Sequence, residues 1–388
     1  MEPVRRPTLM PLGALFVALY GAYGVQSPFL SPFLASRGAS PSEIGAILAI
    51  ASLARIVAGP TIGYLADRWS ARKSVLVLGA VATGSISFAY LAAYGAWPLL
   101  LVVLPQALAV AALAPVADAV GVAASKKGGF PYGWLRGAGS AAFVAGTLAA
   151  GQLVAGQGLG AAMALGGALF LVMGLVALAL PRTEGAASAP IVADDAKRLL
   201  ADPRFLLLLA VAALITGSHA VNETFAVIRW GEAGLSPQVS AALWSVAVGA
   251  EVLVFLVIGP PLLARLGPGR SLILAALAGG LRWTLMATTT AVPILLLAQS
   301  LHGLTFAFLH LACMRVIGEI VPDDIAATAQ TLYGPCALGI ANAALTLAAG
   351  HLYGWYGAGA YWPMVALCGV AGMLALGMRA TAGERACG

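Results

Sequence analysis

Long apolar runs follow one another along the chain, separated by short polar turns. They exceed the length of helices buried in a water-soluble domain. Twelve can be counted, at 9–35, 42–66, 73–95, 97–124, 132–157, 159–180, 204–230, 236–264, 271–290, 292–320, 328–353 and 358–380. As α-helix, at about 1.5 Å per residue, each crosses roughly 30 Å of hydrocarbon. The pattern therefore predicts an all-α membrane protein of twelve transmembrane helices. The first run follows Arg5 and Arg6, as a signal peptide would. It is too long for one and has many successors, so it reads as a retained first span.

One interruption is longer than the rest. Residues 181–203, "PRTEGAASAPIVADDAKRLLADP", are polar and carry both signs of charge. They divide the chain into an N-terminal six-helix bundle (1–181), a linker (182–203) and a C-terminal six-helix bundle (204–388). A short amphipathic helix near 192–201 is expected, with Ile191, Leu199 and Leu200 on the membrane surface. The halves also echo each other. "GPTIGYLADRWSARKS" (59–74) joins runs two and three, and "GPPLLARLGPGRS" (259–271) joins runs eight and nine. Both hold a Gly-Pro helix end, a Leu-Ala pair and a basic turn. Gly and basic residues suit any short loop, but the placement in the same loop of each half favours internal duplication. Duplicated helical bundles of this kind build many secondary transporters, with the substrate at mid-membrane between the repeats.

Composition sharpens the reading. Of 388 residues, 61% are hydrophobic and 9% charged, against about 25% charged in soluble domains. With the N-terminus inside, 15 of the 21 Lys and Arg fall on the cytoplasmic side and only Arg37 and Arg229 outside. Both termini are therefore expected in the cytoplasm. Cys313, Cys336, Cys368 and Cys387 lack metal-ligand spacing and read as small apolar residues. No metal, cofactor, Walker-type phosphate loop or nucleophile–base cluster is discernible, so neither an enzyme nor an ATP-driven pump is expected.

The polar residues inside the runs then stand out, since a charge at mid-membrane costs roughly 2.5–3.5 kcal/mol or more. They are Arg55, Asp118, Arg136, Glu223, Glu251, Arg282, His219, His302 and His310. Arg315 and Glu319, near an end of the tenth run, have the spacing of an i,i+4 ion pair. Asp118 and Arg136 flank a turn and should meet at similar depth, either closing the turn or serving a substrate. Tyr20 and Tyr23 share a helix face and offer aromatic walls, with Gln26 further along; packing or interfacial anchoring would use them equally.

"GYLADRWSARK" (63–73) resembles the loop signature of the major facilitator superfamily, G-x-L-A-D-R-x-G-R-R-K. Gly63, Leu65, Asp67, Arg68, Arg72 and Lys73 match, while Ser70 and Ala71 depart from it. The resemblance implies that Gly63, Asp67, Arg68 and Arg72 form a gating loop, with the clasp weakened at Ser70. Asp118, Tyr132, Gly133 and Arg136 are similar to the region of lactose permease relatives where a carboxylate pairs with arginine at the substrate; Trp134 replaces an arginine there. Glu251, Arg282 and His302 resemble the group in which proton and substrate binding meet, with Thr305 where the permease has a second glutamate. Gln299, Leu301, His302, Thr305, Phe306 and His310 resemble the tenth span of the branch of 3-phenylpropionate permeases. "GSHA" (217–220) and "AEV" (250–252) resemble its seventh and eighth. "VNETFAVIRW", with Asn222, Glu223 and Arg229, departs from that branch, so the substrate is expected to differ.

These resemblances imply a monomeric, alternating-access transporter of a bacterial inner membrane, with no nucleic-acid partner. The expected partners are protons, a small molecule and the bilayer. The expected proton groups are Glu251, His302, Glu223 and Asp118. The expected substrate groups are Tyr20, Tyr23, Gln26, Arg136, Asn222, Arg282 and Gln299. His302 and His310, eight residues apart, would sit about 80° apart on an α-helix; His302 reads as a functional group, and His310 as a buried histidine bonding a neighbouring helix. An aromatic carboxylate is the leading substrate. A sugar or nucleoside, or drug efflux by proton antiport, are the alternatives.

Overall fold

The computed structural model describes residues 9–181 and 193–383. Arg5, Arg6, Arg182, Ile191, Arg385 and Cys387 lie outside them. Eleven helical runs among the described residues are apolar and long enough to cross a membrane. They are α1 (Leu9–Gln26), α2 (Pro41–Arg68), α3 (Arg72–Ala92), α4 (Ala96–Gly128), α5 (Tyr132–Gln157), α6 (Leu159–Leu178), α7 (Pro203–Glu232), α8 (Pro237–Leu266), α9 (Pro268–Thr288), α10 (Val292–Ile320) and Thr328–Met378.

The last run spans 51 residues, more than twice what a bilayer needs. It breaks at Gly357–Ala360, where Gly357 has φ +52° and ψ −122°, a conformation open to glycine alone. The break separates α11 (Ile340–Tyr356) from α12 (Tyr361–Gly383). Continuity thus gives eleven runs where turn residues in the sequence give twelve. The first expected run, 9–35, also divides. α1 stops at Gln26 because Pro28 has no N–H to continue the ladder, and a short helix, Leu30–Ser36, follows.

The described residues group into two compact units. The first holds α1 to α6 together with 234–242; the second holds the linker helix, α7, α8 beyond 242, and α9 to α12. In the first, α1 packs against α5 so closely that a Cβ at Gly24 would collide with the Phe143 carbonyl. Thr147 of α5 donates to the Gly24 carbonyl at 2.9 Å. α1 is therefore a core element, burying Leu12, Leu15, Phe16 and Leu19. At the start of α2, Ser40 and Glu43 form a reciprocal capping box ahead of Pro41.

The sequence echo has a structural counterpart. Gly59 brings α2 against the Ala111 carbonyl of α4, and Gly259 brings α8 against Leu311 of α10. The repeat thus reuses one close contact between corresponding helices in each unit. The two turns that follow each pass through a positive φ, at Ser70 (+50°) and Gly267 (+73°). Ser70 stands where the superfamily pattern has glycine, and its backbone keeps the left-handed conformation glycine would adopt freely. The linker helix spans Ala193–Leu200. Leu199 is buried with Phe205, Val321 and Ile325 in the core of the second unit. It therefore does not lie on the membrane surface as its pattern suggests; Leu200 is exposed.

Candidate functional site

The loop between α2 and α3 retains its ion pair. Arg72 Nε donates to Asp67 Oδ1 at 2.6 Å, with both side chains largely buried. Arg68 reaches Tyr64 Oη at 3.2 Å. Lys73 donates to the carbonyls of Leu178 and Leu180, each at 2.7 Å, satisfying orphan acceptors at the end of α6. Gly63 has open space where a Cβ would stand. The Ser70 and Ala71 departures thus leave the Asp67–Arg72 clasp in place.

In the first unit, Arg136 of α5 sits 3.6 Å from Asp118 of α4, and both are more than a third exposed. Tyr132 donates to the same Asp118 oxygen at 2.7 Å. Arg136 also donates to the Tyr20 hydroxyl, and its guanidinium lies 4.8 Å from the Tyr20 ring centre. Tyr20 stacks on Phe16, and Tyr23 meets Tyr20 edge-on. The result is an arginine–carboxylate pair beside an aromatic wall. Gln26 belongs to a different group. Its amide donates to Ser87 Oγ and the Met163 carbonyl, each at 3.1 Å, and its oxygen receives Gln106 at 3.4 Å. Gln106 also donates to Ser87 at 2.8 Å and accepts from Tyr90. Gln26 therefore ties α1 to α3, α4 and α6. Arg55 of α2 donates to Ser52 Oγ of its own helix at 3.1 Å.

The second unit holds a deeper cluster. Arg282 of α9 is 1% exposed. Its Nη1 lies 2.9 Å from His302 Nδ1 and 3.3 Å from Thr305 Oγ1, and its Nη2 donates to Gln299 Oε1 at 3.2 Å. The guanidinium lies 4.5 Å from the Trp283 ring centre, while its Nε has no hydrogen-bond partner. His302 Nε2 is 3.6 Å from Glu251 of α8. His219 of α7, also 1% exposed, sits 2.9 Å from Thr305 through Nε2, and its Nδ1 lies 3.0 and 3.1 Å from the carbonyls of Ile215 and Thr216.

Backbone irregularities assemble this cluster. α7 is interrupted at Ser218–His219, between helical stretches ending at Gly217 and starting at Ala220. The two side chains there bond the carbonyls freed by the break: Ser218 Oγ reaches Ile215 at 2.6 Å. Ser218 also receives Trp283 Nε1 at 2.8 Å. α10 opens into a π-type turn over Gly303–Phe308, a feature that recurs at functional sites. Gly303 lets α10 approach α8, since a Cβ there would lie 2.6 Å from the Ala250 carbonyl. That approach brings the neighbouring residues His302 and Glu251 together. The π-type turn also changes the phase between His302 and His310. His302 is enclosed with His219 and Phe306, whereas His310 is exposed beside Phe255 and Tyr333.

Hydrogen-bond direction follows from chemistry. A guanidinium only donates, so His302 Nδ1 is the acceptor and its proton is on Nε2, toward Glu251. A carbonyl only accepts, so His219 Nδ1 donates. Asn222 is buried with its Oδ1 unpartnered, and Glu223, one residue on, is exposed. Arg229 reaches the Ala287 and Thr289 carbonyls at 3.5 and 3.3 Å, capping the end of α9. Arg315 and Glu319 form an exposed pair at 2.8 Å.

The structure thus joins Arg282, His302, Gln299 and Glu251 in one group, and Tyr20, Asp118 and Arg136 in another. Sequence reasoning missed the bridging roles of His219 and Thr305. The "GSHA" stretch marked the first, but nothing in a linear pattern shows that its ring meets Thr305.

Two bundles of long apolar helices, each holding buried polar groups, define a polytopic membrane transporter. Residues 9–364 match the model of the MFS_1 like family, and the chain belongs to it, a family of major facilitator secondary transporters. It is 31% identical over 352 residues to the "Probable 3-phenylpropionic acid transporter" of Escherichia coli (strain K12), covering 90% of this chain and 92% of that one. It is 27% identical to the "Maltose permease" of Geobacillus stearothermophilus, over 98% and 97% of the two chains. A solved structure of nucleoside transporter NupG superposes with a TM-score of 0.83 at 18% identity, over 96% and 98% of the chains. A peptide transporter POT in complex with sulfate gives 0.74 at 15%, over 97% and 94%; these two likenesses concern the fold. The resemblance to the superfamily and its 3-phenylpropionate branch is borne out.

Proposed function

We propose that the protein is a proton-coupled symporter of a small organic anion, an aromatic carboxylate, acting by alternating access in a bacterial inner membrane as a monomer. Arg282 carries this reading. Its guanidinium is buried among three hydrogen-bond partners that bear no charge, and one of its donors has no acceptor. A buried cation is costly unless an anion joins it, and guanidinium presents a fork suited to carboxylate. Arg136 with Tyr20 offers a second cation against an aromatic face in the other unit. Tyr23, Asn222 and Gln299 complete the proposed substrate groups, while Gln26 supports them through its internal network. The 31% identity to the phenylpropionic acid transporter agrees with the substrate class.

Glu251 is the principal proton carrier in this reading. It lies beside the Nε2–H of His302, and hydration and desolvation favour opposite protonation states of a carboxylate. Glu223 and Asp118 are the next carriers to test. Transport of a sugar or nucleoside is the competing reading, favoured by the similarity to a maltose permease and by Asp118, which already accepts from a hydroxyl.

The test is uptake into proteoliposomes under an inward proton gradient, using labelled 3-phenylpropionate, other carboxylates, sugars and nucleosides. The expected result is accumulation of a carboxylate, lost in Arg136→Ala and reduced to exchange without accumulation in Glu251→Gln. Movement of neutral solutes alone would transfer the assignment to the competing reading. Accumulation surviving Glu251→Gln would move the proton to Glu223.

A further inference from the structure

The cluster contains two histidines beside Arg282, and their hydrogen bonds give them different capacities. His302 Nδ1 accepts from Arg282, so protonating it breaks that contact. His219 has no such conflict. Its Nδ1 already donates to backbone carbonyls, and its Nε2 faces Thr305 Oγ1 at 2.9 Å. With His219 neutral, the Thr305 hydroxyl donates a hydrogen bond to Nε2. Thr305 Oγ1 also lies 3.3 Å from the His302 carbonyl. If His219 gains a proton on Nε2, the threonine hydroxyl turns to that carbonyl and its oxygen accepts from both His219 and Arg282. Every hydrogen bond survives the change.

We propose that His219 is a second proton acceptor of this transporter, with Thr305 as the rotor that admits the proton, and that an anion bound at Arg282 drives the protonation. The proposal rests on the reading of Arg282 as the anion site. The linkage follows from charge. His219 and Arg282 contact the same hydroxyl oxygen, so the unliganded guanidinium repels a proton on the ring; a substrate carboxylate on Arg282 removes that repulsion. The proton and the anion then enter together without net charge change at the pair.

The other groups facing this site are His302 on α10, Glu251 on α8 behind it, and Tyr361 and Cys368 on α12. Glu223 on α7 is also within electrostatic range of Arg282. Glu251 reaches the pair only through His302, so its protonation is a separate event.

The experiment is nitrogen-15 NMR of the full chain in nanodiscs with labelled histidine, His219 being assigned by its loss in His219→Asn. It compares wild type with Arg282→Met, which imitates charge neutralisation, and Arg282→Lys, which keeps the charge. In Arg282→Met the His219 midpoint should rise by at least about one pH unit, a tenfold change in proton affinity, from the lifted repulsion. Arg282→Lys should stay near wild type. Adding Thr305→Val to Arg282→Met removes the acceptor for Nε2–H and should reverse the rise, whereas Thr305→Ser should keep it. A His219 midpoint unmoved by Arg282→Met, or a rise that persists with Thr305→Val, would overturn the proposal. No substrate enters these comparisons. Failure of carboxylate uptake in proteoliposomes would instead count against the anion reading, while 3-phenylpropionate raising the His219 midpoint in wild type would support both.

Discussion

Replacing Gly303 by alanine tests how the proton group is assembled. The added Cβ would lie 2.6 Å from the Ala250 carbonyl and 2.7 Å from Val254 Cγ2. To restore an ordinary contact of 3.4 Å, the α8 and α10 backbones must part by about 0.8 Å. The first neighbour is a backbone atom, so a rotamer change gives no relief. Overpacking of this kind costs about 1–3 kcal/mol. A cost of 1 kcal/mol lowers a melting midpoint by roughly 2–4 °C in a unit of 150–250 residues, so Gly303→Ala should melt at least about 2 °C below wild type. The same displacement would carry Glu251 from 3.6 Å to beyond ion-pair reach of His302. Proton-driven accumulation should then fall more than substrate exchange does. The assay pairs thermal melting of purified protein with uptake and exchange in proteoliposomes. Gly318→Ala is the control: it lies in α10 with nothing within 4 Å of the added Cβ, and should gain about 0.5–1 kcal/mol from helix propensity. Gly303→Ala matching that control in melting and accumulation would refute the close-approach argument.

Ser70→Gly should raise the melting midpoint, because it removes a left-handed cost of roughly 1–2 kcal/mol at φ +50°; a thermal melt that moves down would contradict this. Lys73→Met should destabilise the first unit by about 1–3 kcal/mol, since the Leu178 and Leu180 carbonyls lose a shared charged donor; the melt of the purified protein reads it out. Gln106→Leu strands the buried Tyr90 hydroxyl, while Ser87 keeps Gln26 and the Thr83 carbonyl, and should cost about 1–3 kcal/mol. Tyr90→Phe in that background should recover part of the loss, and no recovery would show that the network is not the cause.

Much of the fold was legible because hydrocarbon permits few solutions. Runs long enough to cross it must be helices, and the polar stretch 181–203 had to lie outside the bundles. The loop echo was legible too, since Gly59 and Gly259 make the same helix contact in each unit. The helix breaks were less so. Pro28 ends α1, whereas the break at Ser218–His219 follows a single Gly217, one glycine among many that lie inside helices; the side chains themselves satisfy the broken backbone. Charged site residues stood out against an apolar background, whereas Ser87 and Gln106 did not, and Thr305 was marked only through a family resemblance. A lone hydroxyl or amide is common in membrane helices, and its partners lie on other helices, 86 residues away for Thr305 and His219. Gln26, expected among the substrate groups, bonds Ser87, Met163 and Gln106 within the first unit, partners that no linear pattern announces.

The most direct measurement of the central claim is proton movement driven by substrate. Proteoliposomes in weakly buffered medium, without an imposed gradient, receive a pulse of the unlabelled carboxylate that the wild type accumulates, while external pH is recorded. The account predicts alkalinisation in wild type, as protons enter with the anion, and none with Glu251→Gln although exchange persists. Uptake of the anion with no pH change, or with acidification, would contradict proton symport.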